Sequence, residues 1–185
     1  ARLFEETIGV GARAMLVECP PLYHRPGLYN SSGVDFPDNA LRFAFLVIAE
    51  LEWAAQQATP IDVVHAHDWQ AGLAPAYLRQ HFARHPTLGA VPSVFTIHNL
   101  AYQGIVDKSW LPRLGLGWDL FTVDGLEFWD HVSLLKSGVN FSDAVTTEFE
   151  NVPAATLAAL AGQCPVAPTA RAVAVAQDRA QEKAH

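Results

Sequence analysis

Cysteine is scarce in this chain of 185 residues. Cys19 and Cys164 stand far apart and match no CxxC or zinc-module spacing. That excludes a dense disulfide framework and a Cys-based zinc site, and leads us to expect two reduced thiols in a cytoplasmic protein. Basic runs are absent and the net charge is −7, so nucleic acid and anionic membrane surfaces are poor partners. No apolar run reaches the ~20 residues of a membrane-crossing helix. The GxGxxG and P-loop patterns that cradle phosphates are missing, and so is a Gly-x-Ser-x-Gly nucleophile elbow. Ala1 to Glu6 form no signal peptide and the chain has no starting Met, so a piece of a longer fold is expected.

What is present is apolar and ordered. Half of the residues are hydrophobic, enough for one globular domain with a real core, domains running ~100–200 residues. Residues 2–8 and 12–19 read as two strands joined by Gly9-Val10-Gly11. Pro20 to Pro37 is a long loop rich in Pro, Gly, Tyr, Asn and Ser, a length at which loops are either functional or plain connectors. Asp38 predicts the N-cap of a helix running to about Gln57 and apolar almost all round. A buried central strand is expected at 62–66. A helix follows over 70–80, its regular part starting near Ala71–Leu73 because Pro75 fits only a first turn. Ser93–Ile97 is a second strand. The 105–132 segment reads as short helices with an aromatic flap. A helix is expected over Ser133–Phe141 and a third strand over Asp143–Thr147. The alternation predicts an α/β fold, a Rossmann-like parallel sheet with helices on both faces. Residues 148–185 read as an Ala-rich divergent tail, helix-prone or disordered and outside the sheet.

The chemistry gathers where strands end. Asp62-Val63-Val64-His65-Ala66-His67-Asp68-Trp69 is an apolar strand that stops in polar groups. Side chains alternate along a strand, so His65 and His67 share a face. The next strand ends in His98-Asn99, followed by Tyr102 and Gln103, and the third in Thr146-Thr147. In a parallel sheet these ends lie on one edge, where ligands bind. Two chemistries remain open. His65, His67 and His98 with Asp68 could serve as zinc ligands in a metal-dependent hydrolase, although no third ligand stands at fixed local spacing. Alternatively, His, Asp, Asn and Gln could hydrogen-bond a polyhydroxylated ligand while Trp69 and Tyr102 pack on a sugar ring.

The run Asp62 to Leu78, with Val94-Phe-Thr-Ile-His-Asn-Leu-Ala-Tyr-Gln-Gly104, closely resembles the bacterial glycogen synthase and plant starch synthase family, glycosyltransferase family 5. Asp38-Asn39 with Arg42-Phe43, Gly125-Leu-Glu-Phe128, and Leu135-Lys-Ser-Gly138 with Asp143 to Thr147 are similar in the same order, so the resemblance covers roughly residues 15–147. It implies a GT-B enzyme, residues 1–147 being part of the amino-terminal half, with the carboxyl-terminal GT-B domain missing. It implies transfer of glucose from ADP-glucose to the non-reducing end of an α-1,4-glucan, with retention and with neither metal nor cofactor. Carried over by position, His67 and Asp38 are the catalytic contacts. His65, Asp68, Trp69, His98, Asn99, Tyr102 and Gln103 are the substrate-binding ones. Two departures stand out. The family's Lys-x-Gly-Gly loop is absent, and Glu148-Phe149-Glu150 replaces a Ser-Pro-Thr-Tyr-like run. The chain alone is therefore expected to be inactive, a non-catalytic glucan-binding remnant being the alternative.

Overall fold

A computed structural model of the chain describes residues 1–147 and the strand Ala172–Val175; the expectation for the remainder of 148–185 lies outside the described residues. Strands β1 (Arg2–Gly9) and β2 (Ala12–Glu18) form an antiparallel hairpin that turns at Val10-Gly11. The hairpin is almost wholly exposed. Its cross-strand ion pairs, Arg2 with Glu18 and Arg13 with Glu5, lie at the surface, where such pairs add little stability.

The 20–37 loop contains one helical turn, α1 (Pro20–Tyr23), and a minimal hairpin of β3 (Asn30–Ser31) and β4 (Val34–Asp35). It is fastened from inside by Arg42, the one basic residue of the largely apolar helix α2 (Asn39–Ala55). Arg42 is 2% exposed. Its guanidinium donates to the carbonyls of Leu22 and Leu28, each at 2.8 Å, and to Asn39 Oδ1 at 2.6 Å. Tyr23 closes the arrangement by donating its hydroxyl to the Arg42 carbonyl at 2.7 Å. A buried charge is tolerated because Nε and Nη1 both find acceptors.

The main sheet is parallel throughout. In spatial order its strands are β11 (Ala172–Val175), β10 (Ala144–Thr147), β6 (Ser93–Ile97) and β5 (Val64–His67). Among the described residues β5 is therefore an edge strand, not the central one expected. It also starts two residues late and includes both histidines. The cause is its one neighbour among the described residues. Val64 N–H donates to the Pro92 carbonyl at 3.0 Å, and β6 begins at Ser93, leaving nothing for Asp62 and Val63 to pair with. The tail's expected separation from the sheet also fails at Ala172–Val175, which pairs with β10.

Between β5 and β6 the chain forms α3 (Asp68–Ala71) and α4 (Ala74–Gln80), with Pro75 in the first turn of α4. Between β6 and β10 come β7 (Ile105–Asp107), two 3₁₀ turns (Lys108–Leu114 and Trp118–Leu120), β8 (Glu127–Phe128), β9 (His131–Ser133) and α5 (Leu134–Phe141). β7, β9 and β8 form a small antiparallel sheet where the sequence suggests only short helices and a flap. Ser133 caps α5 by accepting from Lys136 N–H at 3.1 Å. The core joins α2, α4, α5 and the Ala66, Phe95, Ile97 and Val145 face of the sheet. Helix α5 packs so closely there that a Cβ on Gly138 would sit 2.4 Å from the Phe95 ring.

Candidate functional site

The strand register builds the site. His67, Thr96 and Thr146 form one row across β5, β6 and β10, with His65 one pleat away on the same face. His65 Nε2 lies 2.6 Å from Thr96 Oγ1, which lies 2.5 Å from Thr146 Oγ1. His67 Nδ1 and His98 Nε2 share a hydrogen bond of 2.9 Å, and the rings of His65 and His67 lie 4.2 Å apart. The expected convergence of the three strand ends is therefore observed. Among the described residues no group of three or more His, Cys, Asp or Glu side chains is placed to hold an ion, and the imidazoles instead bond to each other and to a hydroxyl.

Asp68 makes the turn between β5 and α3. Its φ is +53°, a left-handed conformation that Asp tolerates better than most residues. That backbone aims the carboxylate at the end of β6, where Asp68 Oδ1 accepts the N–H groups of His98 at 2.7 Å and Asn99 at 3.2 Å. One side chain thus ties two strand ends together. Asn99 repeats the device by accepting from Ala101 N–H at 2.9 Å. The turn closes at Gly104, with φ +59°, where a Cβ would lie 2.6 Å from the Trp69 ring. Only a glycine lets this turn rest on Trp69.

A cavity of about 330 Å³ opens beside this turn. Asp68, Trp69, Asn99 and Tyr102 are among its lining residues. Gln103 instead folds back, its amide donating to the Leu100 carbonyl at 3.0 Å, and its own backbone carbonyl accepts from Leu135 N–H at 3.1 Å. His65, His67 and His98 are not among the lining residues. Asp38 stands before α2 without capping it. Its two carboxylate oxygens accept from the Arg25 guanidinium at 2.6 Å each, and that hydrogen bonding holds its pKa below the ordinary carboxylate value. The cavity also has walls that were not among the expected site residues: Tyr29, Asn30, Asp35, Asn39 and Gln70. Asn39 and Gln70 lie inside the motifs that carry the resemblance, while the signal for Tyr29, Asn30 and Asp35 is the Tyr, Asn and Asp content of the 20–37 loop.

With the geometry defined, comparison with known proteins becomes informative. The starch synthase catalytic domain profile matches residues 2–149. A second profile, a ribonucleotide synthetase preATP-grasp domain, matches residues 126–177 and overlaps the first over β8 to β10. A glycogen synthase of Anaeromyxobacter dehalogenans is 47% identical over 137 residues, covering 74% of this chain and 29% of the relative. One from Myxococcus xanthus is 51% identical over 125 residues, covering 67% and 26%. Among solved structures, the catalytic domain of starch synthase IV from Arabidopsis thaliana, bound to ADP and acarbose, aligns with a TM-score of 0.68 at 27% identity. The alignment covers 79% of this chain and 30% of that one. The chain thus spans less than a third of the length of these relatives. Its parallel sheet is the Rossmann-like sheet of a GT-B amino-terminal half. From the match over residues 2–149 and the strand-end motifs it contains, the chain belongs to the starch synthase catalytic-domain family.

Proposed function

We propose that this chain forms the acceptor-side wall of a retaining glucosyltransferase of glycogen or starch synthesis. The reaction moves glucose from ADP-glucose to the non-reducing end of an α-1,4-glucan. It needs a second, carboxyl-terminal GT-B domain and no metal or organic cofactor, and it takes place in the cytoplasm. The observation that carries the reading is the joining of the His67–His98 pair and the cavity by one turn, anchored on Asp68.

The chemistry suits the residues. Cleavage of a glycosyl–phosphate bond builds positive charge on the sugar ring, and preorganised dipoles and hydrogen bonds stabilise that charge without reorganising. His67 serves as the contact nearest the reacting sugar. Its ring is hydrogen-bonded to His98 and stacked near it, with the His65 ring tilted against it at 4.2 Å. Asp38, kept ionised by Arg25, supplies negative charge beside the acceptor. Trp69, Asn99 and Tyr102 hold the glucan, while Asp68, His65 and Gln103 fix the turn and strand ends that present them.

The test is a calorimetric titration of the purified chain with maltoheptaose, beside a radiolabelled transfer assay from ADP-glucose. Saturable binding is expected, weakened about tenfold by His67→Ala, with no glucan elongation by the chain alone. Elongation would overturn the need for a second domain. A folded sample that binds nothing would overturn the acceptor wall. A second reading, a glucan-binding remnant without turnover, rests on the sugar-compatible walls of the cavity alone. Adding a carboxyl-terminal GT-B domain in trans separates the two, because only the transferase reading then gives product.

A further inference from the structure

We propose that strand β1 is a pairing edge for a second copy of this chain. Two β1 strands run antiparallel about a two-fold axis at Phe4 and join the two hairpins into one four-stranded sheet.

The β1–β2 hairpin is short of cover. Two strands alone are marginal in water, and a third strand or a packed helix is needed to hold them. Helix α2 covers one face only. Arg13 lies over the Trp53 ring at 5.7 Å, and Met15 and Val17, which share the Arg13 face, are half-buried. The opposite face stays open, its cross-strand pair Phe4 and Leu16 being 48% and 53% exposed. β1 is exposed along all eight of its residues. Among the described residues it pairs with β2 alone, so its outer row of N–H and C=O groups is a template for another strand. The register shifts between Thr7 and Gly9, a bulge that bends the far end and leaves Arg2 to Thr7 as the regular stretch of edge.

Charges commonly block such edges, but those of β1 match one another. Glu5 pairs with Arg13 and Glu18 with Arg2 inside the hairpin, whereas Glu6 makes no ion pair with another described residue. In an antiparallel pairing centred on Phe4, Arg2 stands opposite the second copy's Glu6, and Glu6 opposite the second copy's Arg2. The two Phe4 rings meet between them. The hairpin register extends each row: Leu16, Phe4, Phe4 and Leu16 lie across the middle, and Arg2 is held between its own Glu18 and the second copy's Glu6. Aromatic and opposite-charge cross-strand pairs stabilise a sheet, and like charges opposite each other destabilise it. Only alternate residues point their backbone groups outward, so the pairing slides in steps of two. One step sets Glu5 against Glu5 and Phe4 against Glu6. The other sets Arg2 against Phe4 and leaves Glu6 without a cation. The Phe4-centred register is thus self-complementary, as a two-fold contact requires.

The experiment is sedimentation velocity of the whole chain over a range of concentrations, with a cross-linking arm. Wild type is expected to pass reversibly from monomer to dimer, with the micromolar dissociation constant that suits a small interface. Glu6→Arg sets like charges opposite each other twice and is expected to weaken the dimer about tenfold. In a Cys19→Ser, Cys164→Ser background, Phe4→Cys places two thiols opposite each other across the axis, within the Cα separation that a disulfide spans. It is expected to cross-link under mild oxidation, and Val10→Cys, on the exposed turn, is not. A wild type that stays monomeric at every concentration overturns the proposal, whether amide exchange finds β1 protected by another stretch of the chain or open. Association that grows beyond two copies, or that Glu6→Arg leaves unchanged, overturns it as well, because the edge then pairs without this register. Equal cross-linking at the two cysteine positions does the same. Sedimentation of wild type and Glu6→Arg decides the matter if Phe4→Cys does not fold.

Discussion

Phe95 and Thr96 are adjacent on β6 and have opposite surroundings. Phe95 is fully buried in a row with Ala66 and Val145, under α5. Thr96 belongs to the other face, in a row with His67 and Thr146, where His65 and His67 are exposed and Thr146 is half-buried. The first face is held by apolar area, which is strong, non-directional and indifferent to which atom touches which. The second is held by a line of short hydrogen bonds from His65 through Thr96 to Thr146, which adds less stability but fixes orientation. A site that must present two imidazoles at a set angle needs the second kind of cohesion, and it can exist only because the first kind keeps the strands in register beneath it.

Substitutions on the two faces test that contrast directly. Phe95→Ala should have the largest effect. The ring meets the backbone of Gly138 with no flexible side chain between, so the space it leaves cannot collapse easily. A loss of roughly 3–5 kcal/mol is expected in urea unfolding. Thr96→Val is nearly isosteric and deletes only the shared hydroxyl. It should cost about 1–2 kcal/mol, because water can reach the exposed His65 and replace part of what is lost. The same variant should weaken maltoheptaose binding more than its stability loss suggests, since His65 loses its orienting partner. Equal costs for the two substitutions would show that the faces do not differ in kind.

The division between the faces is legible in the amino-acid order of β6 itself. Val94, Phe95, Thr96 and Ile97 alternate faces, and the ends in His98-Asn99 and His67-Asp68 predict where the polar row leads. Helix α2 and the β1–β2 hairpin are equally legible, the one from a long apolar run behind Asp38, the other from two β-rich runs around Gly9 and Gly11. What stays hidden has physical causes. β7, β8 and β9 are two or three residues long, too short for a period to emerge. β5 sits at an edge for want of a described neighbour beyond it, which no local pattern encodes. The interior place of Arg42 depends on the carbonyls of Leu22 and Leu28, which come round from the loop to meet it. Tyr29 reads as a loop residue for the same reason: the loop is folded by contacts 10 to 41 residues away.

The smallest expected effect lies at the opposite end of the sheet. Asp143 precedes β10, and its carboxylate accepts from Ser93 N–H at 2.7 Å, Ser93 Oγ at 3.0 Å and Arg79 at 2.5 Å. Partial burial pushes its pKa up, but these hydrogen bonds outweigh that and hold it below the ordinary carboxylate value. The unfolded chain therefore takes up this proton first. The stabilisation is fully present above the unfolded carboxylate pKa of about 3.9 and is lost as pH falls through the folded value. Because Asp143 is 44% exposed at its side chain, solvent screening keeps the effect small. Asp143→Asn should lower the melting temperature by about 1–2 °C at neutral pH and flatten its decline below pH 4. Maltoheptaose affinity should not change, since the clamp joins the starts of β6 and β10 while the site is at their ends. A loss of affinity in this variant would mean that the polar face depends on strand register along its whole length, and the separation of the two faces would have to be redrawn as a separation of the two ends.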